Sequence, residues 1–375
     1  MAAPPATAIF HRGDPKNPKA TVGPADLTVL ASFQKAPLGG SKPGATATGR
    51  RGDFARHLTS GKHPLATRVL ANRIWHHHFG RGIVGTVADF GTQGDRPTHP
   101  ELLDWLASEL VAKNWSLKDM HRLLMNSAVY KQSSARTAEG DAVDPDNLLL
   151  SRASVRRLDA ETLRDAMLSV SGQLNPKLFG APVPVMLDTD GQVIVGVDTT
   201  DTAGRPTGKV VPLNGEEFRR SVYVQMRRTR PLALLEAFDL PKMEPNCELR
   251  SASTVAPQSL TLMNSGFALG AATAFAERVQ REAGTAPEAR IQRAWKLALG
   301  TLPTPAELDR AGAFLKDQTR TLQAKPAAAP APPTAPPKAG VPAKTGGAPV
   351  QPPELAALAT LCQALLNSNA FLYAD

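Results

Sequence analysis

Three consecutive histidines, His76, His77 and His78, stand between Ile74-Trp75 and the run Phe79-Gly80-Arg81-Gly82. Neutral imidazole is the commonest nitrogen ligand for zinc and iron, and it carries protons near neutral pH. Successive helical residues project about 100° apart, so the three cannot chelate one ion from a regular helix. His77 falls on the side of Ala66 and Leu70 and His78 beside Ala71 and Ile74, so these two are expected to face inward. Further ligands would come from His99, from His121, or from Asp89 and Asp95 in the intervening loop. The metal set read here is His77, His78, His99 and His121, for a divalent ion. All eight histidines (11, 57, 63, 76, 77, 78, 99 and 121) precede residue 122, and no HExxH spacing accompanies them. The preferred reading is structural: imidazoles near helix ends cap carbonyls and stack on Trp75 and Phe79.

The loop DFGTQGDRPTHPE, residues 89–101, is the second candidate. Asp89, Asp95, Arg96 and His99 could converge above a helix N-terminus, whose free N–H groups favour an anion such as a glycan carboxylate or sulfate. The opposing reading is a tight loop whose polar residues satisfy one another. DTDG at 188–191 opens like a calcium loop but lacks the remaining acids, so a hairpin turn explains it better. Neither a GxSxG elbow nor a P-loop run occurs.

The elements that must position these residues begin with HPLATRVLANRIWHHHF, 63–79, a helix with Pro64 near its start and Gly80 and Gly82 at its end. THPELLDWLASELVAKN, 98–114, reads as a helix opened by a Thr98–Glu101 capping box, with Leu102, Leu103, Leu106 and Leu110 on one face. In WSLKDMHRLLMNSAVY, 115–130, Ser116 caps, Asp119 answers, and Leu117, Met120 and Leu124 line one side. RRLDAETLRDAMLSVSGQL, 156–174, follows with Asp159 as cap and Gly172 near the stop. Between 181 and 230 the period shifts to two: APVPVML, QVIVGV, KVVPL and SVYVQM read as short strands. Helices return at 257–283, 287–299 and 304–320.

The expected fold class is therefore mainly α (α+β), a helical body with a small antiparallel β-meander insertion. Residues 1–60 form an extended strap, 61–180 a His-rich helical core, 181–230 the meander, and 231–323 a helical C-terminal part. Residues 324–353, rich in Pro and Ala without an apolar face, read as a disordered loop, and 354–375 as a helix that docks back.

Hydrophobic content of 42% over 375 residues supports a sizeable core, and aromatics at 5% leave it to Leu, Val and Ala. The net charge of +9 permits an acidic partner, but its tightest groups, Arg156-Arg157, Arg219-Arg220 and RRTR at 227–230, have acids nearby and read as solvated surface. Nucleic-acid binding would need a contiguous basic stripe and base-stacking aromatics, which are not evident, so it ranks last. Cys247 and Cys362 form no CxxC, no zinc spacing and no CxxCH, so no covalent haem attaches through the usual motif. Residues 1–18 lack the apolar core of a secretory signal, and no apolar run approaches the roughly 18 residues of a membrane span.

Taken together, the stretches from 63 to 134, DPDNLLLSRASVRRLDAETLRDAMLSVSG, RRSVYVQMRR, TVAPQSLTLMNS, RAWKLALGTLPTPAEL and LCQALLNSNAFLYAD resemble the C-terminal domain of unknown function of planctomycete cytochrome-c-domain proteins. The resemblance runs from about His11 to Asp375, with the Pro/Ala stretch as a local insertion. It implies export to the periplasm or cell envelope. It also implies partnership with an upstream cytochrome-c-domain region or a separate redox subunit. This chain departs from the longer members in beginning within the last domain and lacking CxxCH. The resemblance carries no established reaction. The resulting expectation is a noncatalytic scaffold or interaction module, binding an anionic polysaccharide or a redox partner. The alternative is a metal-dependent hydrolase or redox enzyme using His77, His78, Asp89, Asp95, Arg96, His99 and His121.

Overall fold

The computed structural model describes residues 7–23, 25–30, 49–188, 190–199, 201–203, 207, 211–241, 247–324 and 351–374. Most of the Pro/Ala-rich stretch, part of the strap and part of KVVPL lie outside the described residues. The fold is mainly α with small two-stranded antiparallel pairings, and the chain divides into two compact units, Met1–Ser154 and Val155–Asp375. No helix among the described residues is long and apolar enough to cross a membrane.

The first unit contains β1 (Thr7–Phe10), β2 (Pro18–Val22), α1 (Arg50–Leu58), α2 (Ala66–Phe79), α3 (Pro100–Ala112), α4 (Leu117–Met125) and α5 (Ala138–Val143). β1 and β2 pair antiparallel. Its core joins Ala71, Ile74, Trp75 and Phe79 of α2 to Leu103, Leu106 and Leu110 of α3 and to Met120 and Leu124 of α4. Leu117, expected on the inner face of α4, is 49% exposed. Gly80, at φ 81°, ends α2 as its N–H reaches the His76 carbonyl. Ser116 caps α4 by accepting the Asp119 N–H, as its spacing predicts. At α3 the expected capping box does not form. The helix starts at Pro100 with His99 as N-cap, because the Thr98 hydroxyl bonds the Ile83 carbonyl and the His99 ring instead.

The second unit contains β3 (Arg156–Arg157), α6 (Ala160–Ser171), β4 (Val185–Leu187), β5 (Val193–Val195), α7 (Ala233–Ala237), α8 (Ala256–Asn264), α9 (Gly266–Ala283), α10 (Pro287–Leu299), α11 (Pro305–Ala324), α12 (Pro353–Leu366), α13 (Asn369–Leu372) and β6 (Tyr373–Ala374). The single helix expected over 257–283 is broken at Ser265, whose hydroxyl accepts the Ala268 N–H and caps α9. Ala268, Ala271, Ala272 and Ala276 flank Phe275 on the buried face of α9, and these small side chains let α6 and α12 approach closely. The C-terminal helix α12 docks here through Leu358, Leu361, Cys362 and Leu365. Cys247 and Cys362 are both free, and burial pushes the Cys362 thiol up. β6 then pairs antiparallel with β3, placing Tyr373 opposite Arg157.

The 181–230 segment is less regular than the period-two pattern predicts. β4 and β5 form an antiparallel hairpin, whereas SVYVQM opens with a 3-10 turn at Ser221–Tyr223 and touches Val183 only through an isolated bridge at Val224. Guanidinium groups supply donors that a ladder would otherwise provide. Arg219 donates to the carbonyls of Lys177, Phe179 and Ala181 and lies 3.9 Å from the Tyr223 ring centroid. Arg164 on α6 donates to the carbonyls of Arg219 and Glu217. Burial pulls the Arg164 guanidinium down to about 10, still charged at neutral pH. The solvated reading of the arginine doublets is thus corrected: one member of each turns inward, Arg157 and Arg219, while Arg220 stays 57% exposed.

Arg219→Lys cannot reproduce the planar fork and strands buried carbonyls. It should destabilise the protein by about 3 kcal/mol in urea unfolding followed by circular dichroism. Arg220→Lys beside it should stay within about 0.5 kcal/mol of wild type.

Candidate functional site

The buried face of α2 is defined by Thr67, Ala71, Ile74, Trp75 and Phe79. His78 lies on this face near the helix end and is half-buried, whereas His77 is exposed. The inward expectation for His77 therefore fails, because Ala66 and Leu70, with which it aligns, are themselves only half-buried. His76 and His77 meet edge to face with centroids 5.4 Å apart.

The structure brings together His78 and His121: Nε2 of the first lies 2.8 Å from Nδ1 of the second. In such a bond one nitrogen donates and the other accepts, so neither of these two atoms is open to a metal while the bond persists. Tyr130 stands edge-on to both His78 and Phe79, and Trp75 stacks on Phe79 with centroids 4.0 Å apart. His99 is instead engaged with the Thr98 hydroxyl at 2.9 Å.

The 89–101 loop is knit largely to itself. Asp89 accepts the Gly91 N–H, and Thr86 donates to the Asp89 carbonyl while accepting the Asp95 N–H. The Asp95 carboxylate lies 3.9 Å from Arg81, and Asp89, Asp95 and Arg96 are all exposed. The stretch leading into this loop is pinned by Asn72 of α2, fully buried, whose amide donates to the Val84 carbonyl and accepts the Val84 N–H, both at 2.9 Å. Gly82 is required there, since a Cβ would sit 2.3 Å from the Val84 carbonyl oxygen.

Among the described residues, the group of three whose ligand atoms lie within 4.8 Å of one another is Asp26, His57 and His63, which the sequence reading did not single out. Asp26 Oδ2 is 2.8 Å from His57 Nε2 and 3.9 Å from His63 Nε2, and both imidazoles are more than nine-tenths buried. Two imidazoles and a carboxylate suit zinc or iron by donor type. The wiring of His63 opposes that use. Its Nδ1 accepts the N–H groups of Leu65 and Ala66 at the start of α2, which puts its proton on Nε2, facing Asp26. A ligating histidine normally carries its proton on the nitrogen away from the metal. The geometry is that of a clasp, with one carboxylate receiving His57 and facing the His63 N–H, and it fastens residues 25–30 to α1 and the start of α2. The Leu27 N–H, then the His57 hydrogen bond, hold the Asp26 carboxyl below the usual carboxylate range.

The unit also carries a groove of about 590 Å³ lined by Trp75, Leu102, Trp105 and Leu123, with Lys113 and Arg122 among its polar residues. Trp105 is 49% exposed.

Residues 50–315 match the family model described as PSD1, Protein of unknown function (DUF1553). The chain belongs to the PSD1 family. No curated protein and no solved structure matches it. The PSD1 match takes in His57, His63, His78, His121 and the tryptophan groove, while Asp26 lies ahead of it. That separation explains why the clasp was not legible: no short motif links Asp26 to histidines 31 and 37 residues further on.

A carboxylate whose folded pKa is depressed contributes stability fully above its unfolded value, near pH 4, and loses it as pH falls through the folded value. Asp26→Asn should therefore lower stability at pH 7 by about 1–2 kcal/mol. The gap to wild type should narrow as the pH of the unfolding experiment is taken below about 4.

Proposed function

We propose that this PSD1 chain is a noncatalytic interaction module and that the groove of its first unit receives an apolar segment of a partner protein. The observation that carries this reading is the half-exposed Trp105 beside Trp75, Leu102 and Leu123 in a groove of about 590 Å³. Tryptophan is enriched at the centres of interfaces because it buries a large rigid surface at low entropic cost. Lys113 and Arg122 alongside it are offset by Glu109 at 3.5 Å and Asp119 at 2.8 Å, so the apolar anchor and not charge carries the recognition. The partner implied by the resemblance is a cytochrome-c-domain region or a separate redox subunit within an exported assembly. An anionic polysaccharide at the 89–101 loop is the weaker proposal, since Asp89 and Asp95 are themselves exposed anions there.

A metal-dependent hydrolase or redox enzyme is the second reading, favoured by the donor set of Asp26, His57 and His63. Stoichiometric zinc or iron in the purified protein, lost in both Asp26→Asn and His57→Ala, would put it first.

Selection of a random peptide library on the purified chain tests the groove. Enriched peptides should carry an apolar or aromatic anchor, quench tryptophan fluorescence, and bind Trp105→Asp at least tenfold more weakly. Equal binding to Trp105→Asp, or no enrichment over an uncoated control, would sink the proposal.

A further inference from the structure

Residues 7–22 of the first unit fold into a hairpin whose strands pair only with each other, from Thr7 opposite Val22 to Phe10 opposite Pro18. The turn is closed internally: the His11 N–H donates to the Asn17 carbonyl, and Asp14 accepts the Lys16 N–H. Among the described residues no hydrogen bond joins the hairpin to the body, and every residue from Ile9 to Gly23 is exposed. Three of these are large and apolar, with Ile9 53%, Phe10 44% and Val22 40% exposed. A lone two-stranded hairpin is marginally stable in water and gains stability from a third strand or a packed face.

The two edges of the hairpin are not alike. β2 carries Pro18 and Lys19, residue types with which proteins blunt an open edge. β1 reads Thr-Ala-Ile-Phe, without charge or proline, so its outer edge is open to another strand. The backbone N–H and C=O groups of such an edge bind an extended chain by adding it to the sheet.

Charge decides whose strand that is. The hairpin holds Arg12, Lys16 and Lys19 against one carboxylate, Asp14. Among the described residues none of these three cations forms an ion pair, and Asp14 serves the turn. Arg12 lies two residues beyond the last residue of β1, near the end of any strand laid along that edge. A second copy of this chain would bring three more cations to the contact, whereas a segment bearing Asp or Glu meets complementary charge. A membrane surface would use the cations and the apolar side chains but leave the open backbone of β1 unused.

We infer that β1 is a docking edge for an extended, acidic segment of a partner protein, which adds a third strand to the hairpin and sets its carboxylates against Arg12, Lys16 and Lys19. This surface shares no residue with the groove lined by Trp105 and differs from it in chemistry, since recognition here is by backbone and charge.

The test uses the full chain and fluorescein-labelled octapeptides, read by anisotropy. The probe alternates Val and Glu. One comparison alternates Val and Lys, and the other replaces the two central valines of the probe with proline, which keeps the charge and removes strand donors. The Val/Glu peptide should bind saturably, at least tenfold more tightly than either comparison, and should slow amide exchange in β1. Binding should weaken at least tenfold in Ile9→Pro and in the triple variant Arg12→Glu, Lys16→Glu, Lys19→Glu. Both variants should keep the wild-type urea midpoint, because the hairpin makes no bond to the body. Trp105→Asp should bind the peptide like wild type, so this edge and the groove stand or fall separately. The inference is overturned if either comparison peptide binds as tightly as the probe, if both hairpin variants bind like wild type, or if exchange slows only outside residues 7–22. It is equally overturned if phosphatidylglycerol vesicles bind the chain while the Val/Glu peptide does not, or if the chain is a dimer that Ile9→Pro dissociates.

Discussion

Backbone groups that short helices and short strands leave over must find partners, and in this chain buried polar side chains provide many of them. Asn72 takes both backbone groups of Val84, the His63 ring caps the start of α2, and Arg164 and Arg219 between them collect five carbonyls from the segment between 177 and 219. An unpaired buried carbonyl or N–H is costly, so these side chains stand where sheet ladders would otherwise be needed. With so little sheet, the irregular stretches hold their shape through these residues.

The same constraint shapes the functional reading. Imidazole, guanidinium and carboxamide groups are the usual instruments of catalysis, yet here several are already engaged by the backbone or by each other. His78 and His121 bond one another, His99 is engaged by Thr98, and His63 turns one nitrogen to the α2 N-terminus. Apart from these groups, the first unit carries an apolar groove with Trp105 half-exposed, and the second a cavity in which Asp239 offsets the charge of Arg157.

Helical periodicity made much of the body legible, because an apolar stripe three or four residues apart has one stable use. The face of α3, Met120 and Leu124 of α4, the Ser116 cap, the Gly80 and Gly172 stops and the docking of α12 all follow from local pattern, whereas Leu117 does not. The break at Ser265 is a local signal too: a serine followed by glycine is a cap as readily as a helix interior. Less legible was the direction of individual side chains near helix ends, where His77 aligned with residues that proved to be only half-buried.

The amino-acid order alone determined the helical class, the membership in a family and several helix ends, such as those at Gly80, Ser116 and Gly172, where the signal lies within a turn of the end. Tertiary structure alone decided which arginine of each doublet goes inside, which histidines meet, and that Asp26 reaches His57. It also placed Arg157 opposite Tyr373 and beside the end of α12. These pairings span tens to hundreds of residues, and a polar side chain carries no periodic mark of the distant carbonyl or carboxylate that it will bond.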